Sequence, residues 1–277
     1  MAEKLLVTHF YPDLDGICGI WLFQRFGGKH FENCAIEFVP ARSTWQGELV
    51  DSDPDVIHID TGLGMFDHHL SNEYTCAAKK VFEYLNTDDE ALRHIVDHVT
   101  AIDHFRDVNW PDPTADIYNF ELSNIITGWK VAFPNSPHKD YVQWGMICLD
   151  GVYNSLKNKL HAEKSIEESG YEFDCEWGPA LAIQTFNDEV IKHGLKMGFS
   201  VIIRRDPSKH YIRIKGRPDR DDIDLTLVYE KLMALDPEAT WFLHPDKKQL
   251  LNGNTRNPHN VYTKLELEDV IDILKVR

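Results

Sequence analysis

Short apolar runs that end in acidic or imidazole side chains are the feature that most restricts the fold of this chain. The run at residues 5–8 leads into His9, and the run at residues 56–59 leads into Asp60; the sequence Phe-Asp-His-His follows at residues 66–69. In open α/β sheets, ligands bind outside the carboxyl ends of the strands. Imidazoles and carboxylates are poor core residues but good ligands for divalent metals. The pattern therefore predicts a metal site at one edge of a sheet.

The order of the elements predicts an α/β protein. In the first half, strand patterns alternate with helix patterns: strands at 5–8, 35–39 and 56–60, and helices at 16–26, 73–85 and 88–105. Such alternation is typical of a mostly parallel sheet flanked by helices. Helices at 118–129 and 141–168 follow, and the segment 170–178 is expected to be irregular. We therefore expect a catalytic domain at residues 1–170 and a smaller α/β domain at residues 178–277.

The second half combines strands and helices in another order. The expected elements are strands at 180–186, 200–203, 210–215 and 240–243, and helices at 188–197, 222–235 and 265–274. Thr263 and Glu266 have the spacing of a capping box for the last helix.

Composition and charge exclude several classes of partner. The 277 residues are 43% hydrophobic and 27% charged, which is typical of a soluble globular protein. The net charge of −16 argues against extended duplex DNA as a partner, and no apolar run is long enough for a membrane span. The five cysteines are widely spaced, and the first residues lead directly into a strand, so we expect a cytoplasmic protein without disulfides.

Five side chains near the strand ends are candidate metal ligands: His9, Asp13, Asp15, Asp60 and His68. They offer enough donors for two metals that share one carboxylate. Taken alone, the segment 13–16 is also typical of a turn or a helix N-cap, and a His-His pair is more often an ordinary surface or core feature. Three such clusters, each at a strand end, favour the metal site.

A sixth ligand is expected on the helix at residues 88–105, which carries Asp97 and Asp103. At 100° per residue, Asp103 lies within the apolar stripe of this helix, whereas Asp97 projects on the far side. A carboxylate in an apolar stripe must be paired, hydrogen-bonded or bound to a metal. Asp103 is therefore the preferred ligand, although a local cap or ion pair near the helix end would also satisfy it.

The order of these residues resembles the DHH phosphoesterase superfamily. The matching positions, spread over residues 8–103, are His9, Asp13, Asp15, Asp60, Asp67, His68, His69 and Asp103. The superfamily includes RecJ-type exonucleases, oligoribonucleases, cyclic-dinucleotide phosphodiesterases, exopolyphosphatases and family II inorganic pyrophosphatases. The combination of motifs is much more specific than any one of them.

The resemblance implies two divalent metal ions, with manganese preferred and magnesium or cobalt as alternatives. In such enzymes, one ion is held by the residues that match His9, Asp13 and Asp60. The other is held by those that match Asp15, Asp60, His68 and Asp103, so that Asp60 bridges the two ions. His69 would then face the substrate and act on the leaving group, while Asp67 would orient the histidine pair. His69 and Asp67 are thus the expected catalytic residues.

A basic segment in the second half is the expected substrate-binding region. Between residues 192 and 220, nine Lys or Arg residues are opposed by only two Asp residues. Strand alternation gathers Arg213, Lys215 and Arg217 on one face, which either reads phosphate or is an ordinary solvated face. The half weakly resembles the DHHA1-type substrate-binding domain, but lacks its glycine- and histidine-rich turn. The residues in that place are His244, Asn252, Gly253 and Asn254.

We therefore expect a metal-dependent phosphoesterase that hydrolyses phosphodiester bonds with a water activated by two metals. Its substrate would be a phosphate-containing small molecule, such as a nucleotide, or a short single-stranded oligonucleotide. Two alternatives stay open: a phosphoanhydride hydrolase of the pyrophosphatase or exopolyphosphatase kind, and a catalytically silent nucleotide-binding regulator. Aromatic side chains near the site would favour bases, and dense Lys and Arg without them would favour polyphosphate. A homodimer also stays open.

Overall fold

The computed structural model describes residues 4–253 and 259–276, and it has the expected α/β architecture. One sheet is parallel and has three strands, and the other is mixed and has six. The contacts divide the chain into two units between Ser155 and Leu156. Among the described residues, no helix combines the length and the hydropathy that crossing a membrane requires.

The first unit has a parallel sheet in the order β2-β1-β3, so β1 is central. Its strands are β1 Leu5–His9, β2 Ala35–Val39 and β3 Val56–His58. Its helices are α1 Leu14–Phe26, α2 Ala77–Leu85, α3 Glu90–Asp103, α4 Leu122–Ala132 and the beginning of α5 His138–Ser169. The predicted parallel sheet with flanking helices is confirmed.

Helix α1 forms the centre of the first unit. All residues from Leu14 to Phe23 are buried, as the apolar sequence of this helix requires. Gly19 allows α1 to approach the strand end that carries Asp60, because a Cβ atom at residue 19 would lie 2.6 Å from Cγ2 of Ile59. This close packing fixes the position of Asp60 relative to the start of α1.

The second unit has a six-stranded sheet in the order β4-β5-β6-β7-β9-β8. Its strands are β4 Tyr171–Cys175, β5 Gly178–Gln184, β6 Val201–Arg205, β7 Ile212–Gly216, β8 Trp241–Leu243 and β9 Gln249–Asn252. Its helices are α6 Glu189–Met197, α7 Thr226–Leu235 and α8 Leu267–Leu274. Only β5 and β6 pair in parallel, and the other neighbours are antiparallel.

The division between the units lies inside α5, whereas the sequence placed the domain boundary after this helix. The C-terminal half of α5 buries Ala162 and Ile166 against Leu181 and Ile202 of the second sheet. Hydrophobic packing therefore assigns this half of the helix to the second unit, although the helix itself runs without interruption.

Two local expectations were wrong. The segment 170–178 is not irregular, because β4 pairs with β5 and buries Phe173 and Cys175 on alternate positions. The capping box of α8 uses Glu266 and Asp269 instead of Thr263 and Glu266. The hydroxyl of Thr263 instead donates to the carboxylate of Asp236 at 2.8 Å. A tertiary hydrogen bond thus removes Thr263 from the capping position.

Some element boundaries also differ from the expected ones. The helix expected at 118–129 is a 3-10 segment, Asp116–Phe120, followed by α4. The helices expected at 73–85 and 222–235 begin later, at Ala77 and Thr226. Strand β9 was not expected, because the resemblance to a DHHA1-type domain places a turn in this region.

Gly253 follows β9 with φ of +85°, and a Cβ atom there would lie 2.2 Å from Cδ1 of the buried Tyr211. We expect Gly253→Ala to lower the free energy of unfolding by about 2–4 kcal/mol, because both backbone strain and overpacking oppose it. Gly198→Ala is the matched control, since Gly198 has φ of +109° but open space around a Cβ atom. Urea denaturation of both variants should show the larger loss for Gly253→Ala; equal losses would contradict the steric part of the argument.

Candidate metal centre

The fold brings the six predicted ligands to one place in the first unit. His9 ends β1, and Asp60 follows the end of the neighbouring parallel strand β3. Asp13 is the N-cap of α1, and its carboxylate accepts the backbone N–H groups of Asp15 and Gly16. The helix cap, which was the alternative to a metal role for residues 13–16, is therefore present, and it leaves Asp13 within the candidate group of His9 and Asp60.

His68 lies at the centre of one group of acidic side chains. Its Nε2 atom is 3.8 Å from Oδ2 of Asp15, 3.7 Å from Oδ1 of Asp60 and 3.6 Å from Oδ2 of Asp103. These distances are too long for hydrogen bonds. Two ligands that are each about 2.1 Å from one ion lie at most about 4.2 Å apart, so these distances are short enough for shared ligation. His68 therefore lies within 3.8 Å of one oxygen from each of the three carboxylates expected in its set, whereas Asp15 is in none of the tighter ligand groups found among the described residues.

Asp60 also faces a second group, which contains His9 and Asp13. The ligand atoms of these three residues lie within 4.8 Å of one another, and Nε2 of His9 is 3.2 Å from Oδ2 of Asp60. The two oxygens of Asp60 thus face different groups, Oδ2 toward His9 and Oδ1 toward His68. This is the arrangement that a bridging carboxylate requires.

Two buried polar side-chain atoms at the centre have unsatisfied hydrogen-bonding capacity. Among the described residues, neither Oδ1 of Asp60 nor Nε2 of His68 has a hydrogen-bond partner. Buried polar atoms are normally satisfied, and an unexplained exception indicates an ion or water site. The donor set of carboxylates and imidazoles suits Mn²⁺, Mg²⁺ or Co²⁺. The residues present therefore fit a divalent metal.

Burial and mutual repulsion make these carboxylates hard to ionise without a cation. Burial, and then the charge of Asp60, raise the pKa of Asp15 well above its usual value. Burial also raises the pKa of Asp60, and it raises that of Asp103 against the opposing charge of His68. For His9, burial alone would lower the pKa, but the hydrogen bond to Asp60 and that to the carbonyl of Phe10 raise it. The metal-free centre therefore favours proton uptake.

This proton uptake predicts an unusual pH dependence for the metal-free protein. Because the folded pKa values of Asp15, Asp60 and Asp103 are raised above 3.8, unfolding releases protons, and stability decreases as the pH rises through the folded values. For protein kept metal-free with a chelator, we expect the midpoint of urea unfolding to be lower at pH 8 than at pH 5. Asp103→Asn should reduce the difference between the two midpoints. A midpoint that rises with pH, or an unchanged difference in the variant, would contradict the prediction.

Asp15 also accepts two backbone hydrogen bonds that the sequence did not predict. Its Oδ2 accepts the backbone N–H of Ala77 at 2.8 Å, and its Oδ1 accepts that of Ala78 at 2.7 Å. The N-cap of α2 is Cys76, which makes no side-chain capping bond. Asp15 therefore caps α2 from a different helix, and each oxygen keeps further lone pairs for a metal.

His69 is held by Asp67 and lies beside the ligands, since Asp60, His68 and His69 have ligand atoms within 4.8 Å of one another. Its Nδ1 is 2.8 Å from Oδ1 of Asp67, and its side chain is 44% exposed. Asp67 also accepts the backbone N–H groups of His69 and Leu63. Although burial opposes ionisation, these hydrogen bonds lower the pKa of Asp67, so it is an ionised acceptor. The geometry agrees with an orienting role for Asp67.

His104, which lies at the centre, was not predicted from the sequence, and the alternative ligand Asp97 lies away from it. His104 forms a group with His68 and Asp103, and its Nε2 is 2.9 Å from the carbonyl oxygen of Thr75. Its position next to Asp103 in the sequence was the only signal that could have identified it. Asp97 is exposed on α3, whereas Asp103 reaches the cluster, as the apolar stripe of the helix predicted.

In the second unit, alternation along β7 buries Ile212 and Ile214 and leaves Arg213 and Lys215 half-buried, as expected. Most of the predicted substrate-binding charges have carboxylate partners, however. Arg213 pairs with Asp188 at 2.7 Å, Arg217 with Asp219 at 2.6 Å, and His244 with Asp246 at 2.9 Å. The excess of positive charge in the sequence is thus largely neutralised in the fold.

Residues at and after the end of β9 also stabilise the fold of the second unit. The amide of Asn252 is fully buried, donates to the carbonyls of Thr240 and Val261, and accepts the backbone N–H of Thr263. Gly253 makes room for the ring of Tyr211. Asn254 lies outside the described residues. A role of this turn in substrate binding stays a prediction.

No protein-family model matches the chain, and the search of curated proteins finds no match either.

Proposed function

We propose that this protein is a divalent-metal-dependent phosphoesterase of the DHH type, which hydrolyses phosphodiester bonds in a small nucleotide or a short single-stranded oligonucleotide. The observation that carries the proposal is the position of His68, whose Nε2 lies 3.6–3.8 Å from three carboxylates and has no hydrogen-bond partner among the described residues. A metal ion explains why three acidic side chains converge on an imidazole without bonding to it.

Two sets of residues would hold the metals. His9, Asp13 and Asp60 form one, and Asp15, Asp60, His68 and Asp103 form the other, with His104 beside the second set. When bound, two such ions activate water for attack at phosphorus and neutralise phosphate charge. Manganese is the proposed ion, with magnesium or cobalt as substitutes.

The protein itself supplies the proton transfer. The contact between Asp67 and Nδ1 of His69 fixes the orientation and the tautomer of the ring. Because Nδ1 keeps the proton that it donates to Asp67, Nε2 would give a proton to the leaving oxygen of the substrate only from the imidazolium form of the ring, which then returns to the Nδ1–H tautomer. The exposure of the His69 side chain lets a substrate reach it.

We also propose a cytoplasmic location, because the five cysteines are odd in number and widely spaced, with no C-x-x-C pair. The carboxylate and imidazole ligands of the centre would not depend on that location.

An activity panel with Mn²⁺ tests the proposal. Short oligonucleotides, cyclic dinucleotides, inorganic pyrophosphate and polyphosphate would be compared, with chelated protein as the blank. Metal-dependent release of nucleotides is expected. Hydrolysis of pyrophosphate or polyphosphate alone would replace the proposed substrate class by phosphoanhydrides. No hydrolysis of any substrate, with two metals bound, would favour a nucleotide-binding regulator.

A further inference from the structure

Two aromatic side chains are exposed in the loop that carries the first metal ligands. Phe10 is 44% exposed and Tyr11 is 48% exposed, and both lie between His9 and Asp13 in the sequence. The Nδ1 atom of His9 contacts the carbonyl oxygen of Phe10 at 2.9 Å, which ties this loop to the ligand. None of the metal-binding or proton-transfer roles above requires these two rings.

The two rings are supported from within the first unit. The ring of His138 lies 5.1 Å from that of Phe10, 4.2 Å from that of Tyr11 and 5.3 Å from that of Phe38, measured between centroids. Aromatic rings at these separations stabilise one another. Phe10 and Tyr11 are therefore held in place on one side and accessible to solvent on another.

The backbone of the loop is also held in an uncommon conformation. Tyr11 has φ of +52°, in the left-handed region that bulky residues rarely adopt. The ammonium group of Lys130 donates to the carbonyl oxygen of Tyr11 at 2.8 Å and thereby stabilises this conformation. Strained residues of this kind cluster at ligand-binding sites. Lys130 also places a positive charge beside the loop, which complements the phosphate of a nucleotide.

We propose that Phe10 and Tyr11 form a stacking site for a nucleobase. This inference rests on the proposed phosphoesterase function and narrows its substrate to a nucleotide or a short single-stranded oligonucleotide, as opposed to polyphosphate. Every base has a face that stacks on aromatic rings, so the site would accept bases with little sequence preference. Because Phe10 directly follows His9, a stacked base has its own phosphate group beside the candidate metal centre.

Kinetics on matched substrates tests the site. In the presence of Mn²⁺, hydrolysis of a dinucleotide with two adenosines joined by one phosphodiester would be compared with hydrolysis of an abasic analogue, which has the same phosphodiester but no bases. We expect Phe10→Leu and Tyr11→Leu each to raise KM for the dinucleotide roughly 5- to 100-fold, and to raise KM for the abasic analogue by a much smaller factor. Tyr11→Phe, which keeps the ring, should retain the wild-type KM. Phe120→Leu is the matched control, because Phe120 is 78% exposed and makes no part of the site.

A binding measurement separates this inference from the proposed function. Saturation-transfer NMR on metal-free protein would compare adenosine monophosphate with ribose 5-phosphate. Base protons should receive saturation from the wild type and much less from Tyr11→Leu. Equal wild-type KM for the dinucleotide and the abasic analogue, with hydrolysis of both, would overturn the stacking site and leave the phosphoesterase standing. If neither substrate is hydrolysed, the proposed phosphoesterase function is wrong. In that case, saturation of the base protons that is lost in Tyr11→Leu still supports the stacking site. No saturation of the base protons by the wild type overturns the stacking site.

Discussion

Asp60→Asn is expected to weaken Mn²⁺ binding at both positions by more than the roughly 10–100-fold that the loss of an outer hydrogen-bonding partner costs. Asp60 is 5% exposed, and its two oxygens face His9 and His68, so one substitution affects both groups of ligands. Asparagine is the appropriate replacement, because Asp60 has φ of +54° and Asn tolerates this conformation. Titration calorimetry with Mn²⁺ on chelator-treated protein measures the effect.

Asp97→Asn is the matched control for this measurement. It makes the same change of charge on an exposed face of α3 and should leave two metals bound with wild-type affinity. An Asp60→Asn variant that binds two Mn²⁺ ions as tightly as the control would show that Asp60 is not the bridging ligand.

His69→Ala is expected to keep its metals and to lose about 10²–10⁴-fold in kcat. The expectation follows from the contact between Nδ1 of His69 and Asp67. Although His69 also forms a candidate ligand group with Asp60 and His68, this contact engages Nδ1 and leaves Nε2 for proton transfer. A substrate with a leaving group of low pKa should lose less, because its departure needs no proton. Parallel measurement of bound metal and turnover is therefore essential.

His94→Ala is the control. The side chain of His94 is 42% exposed, close to the 44% of His69, and its Nε2 lies 4.0 Å from Oε1 of Glu90. The variant should have wild-type activity. If His69→Ala loses metal, His69 is a ligand and its role has been exchanged with that of His68. If it turns over at the normal rate, the leaving group is not protonated by this residue.

The regular elements of the first unit could be predicted because their signals are local. The apolar run of α1 and the short hydrophobic strand β2 appear where expected, and β2 has the expected bounds. Where pairing decides the structure, the sequence was less informative. β4 becomes a strand because β5 offers it a partner, and the N-cap of α8 is Glu266, while Asp236 engages Thr263.

The basic strand shows why charge counting along a sequence is a weak guide to a binding site. Arg213 is paired by Asp188, which is 25 residues away in the sequence. Arg204 and Arg205 of β6 are almost fully buried, and they pair with Asp206 and Glu266. Asp188 and Glu266 lie outside the segment 192–220, so only the fold shows that they neutralise its charge.

The sequence by itself determined which side chains stand at the ends of β1 and β3, because a strand pattern fixes its own end and the residues that follow. It also selected Asp103 over Asp97, because helical periodicity is a local property. Only the tertiary structure decided that Asp15 caps α2, that His104 joins the cluster, and that His138 supports Phe10 and Tyr11. Each of these contacts joins elements whose separation in the chain is bridged by packing, and local patterns carry no information about such distances.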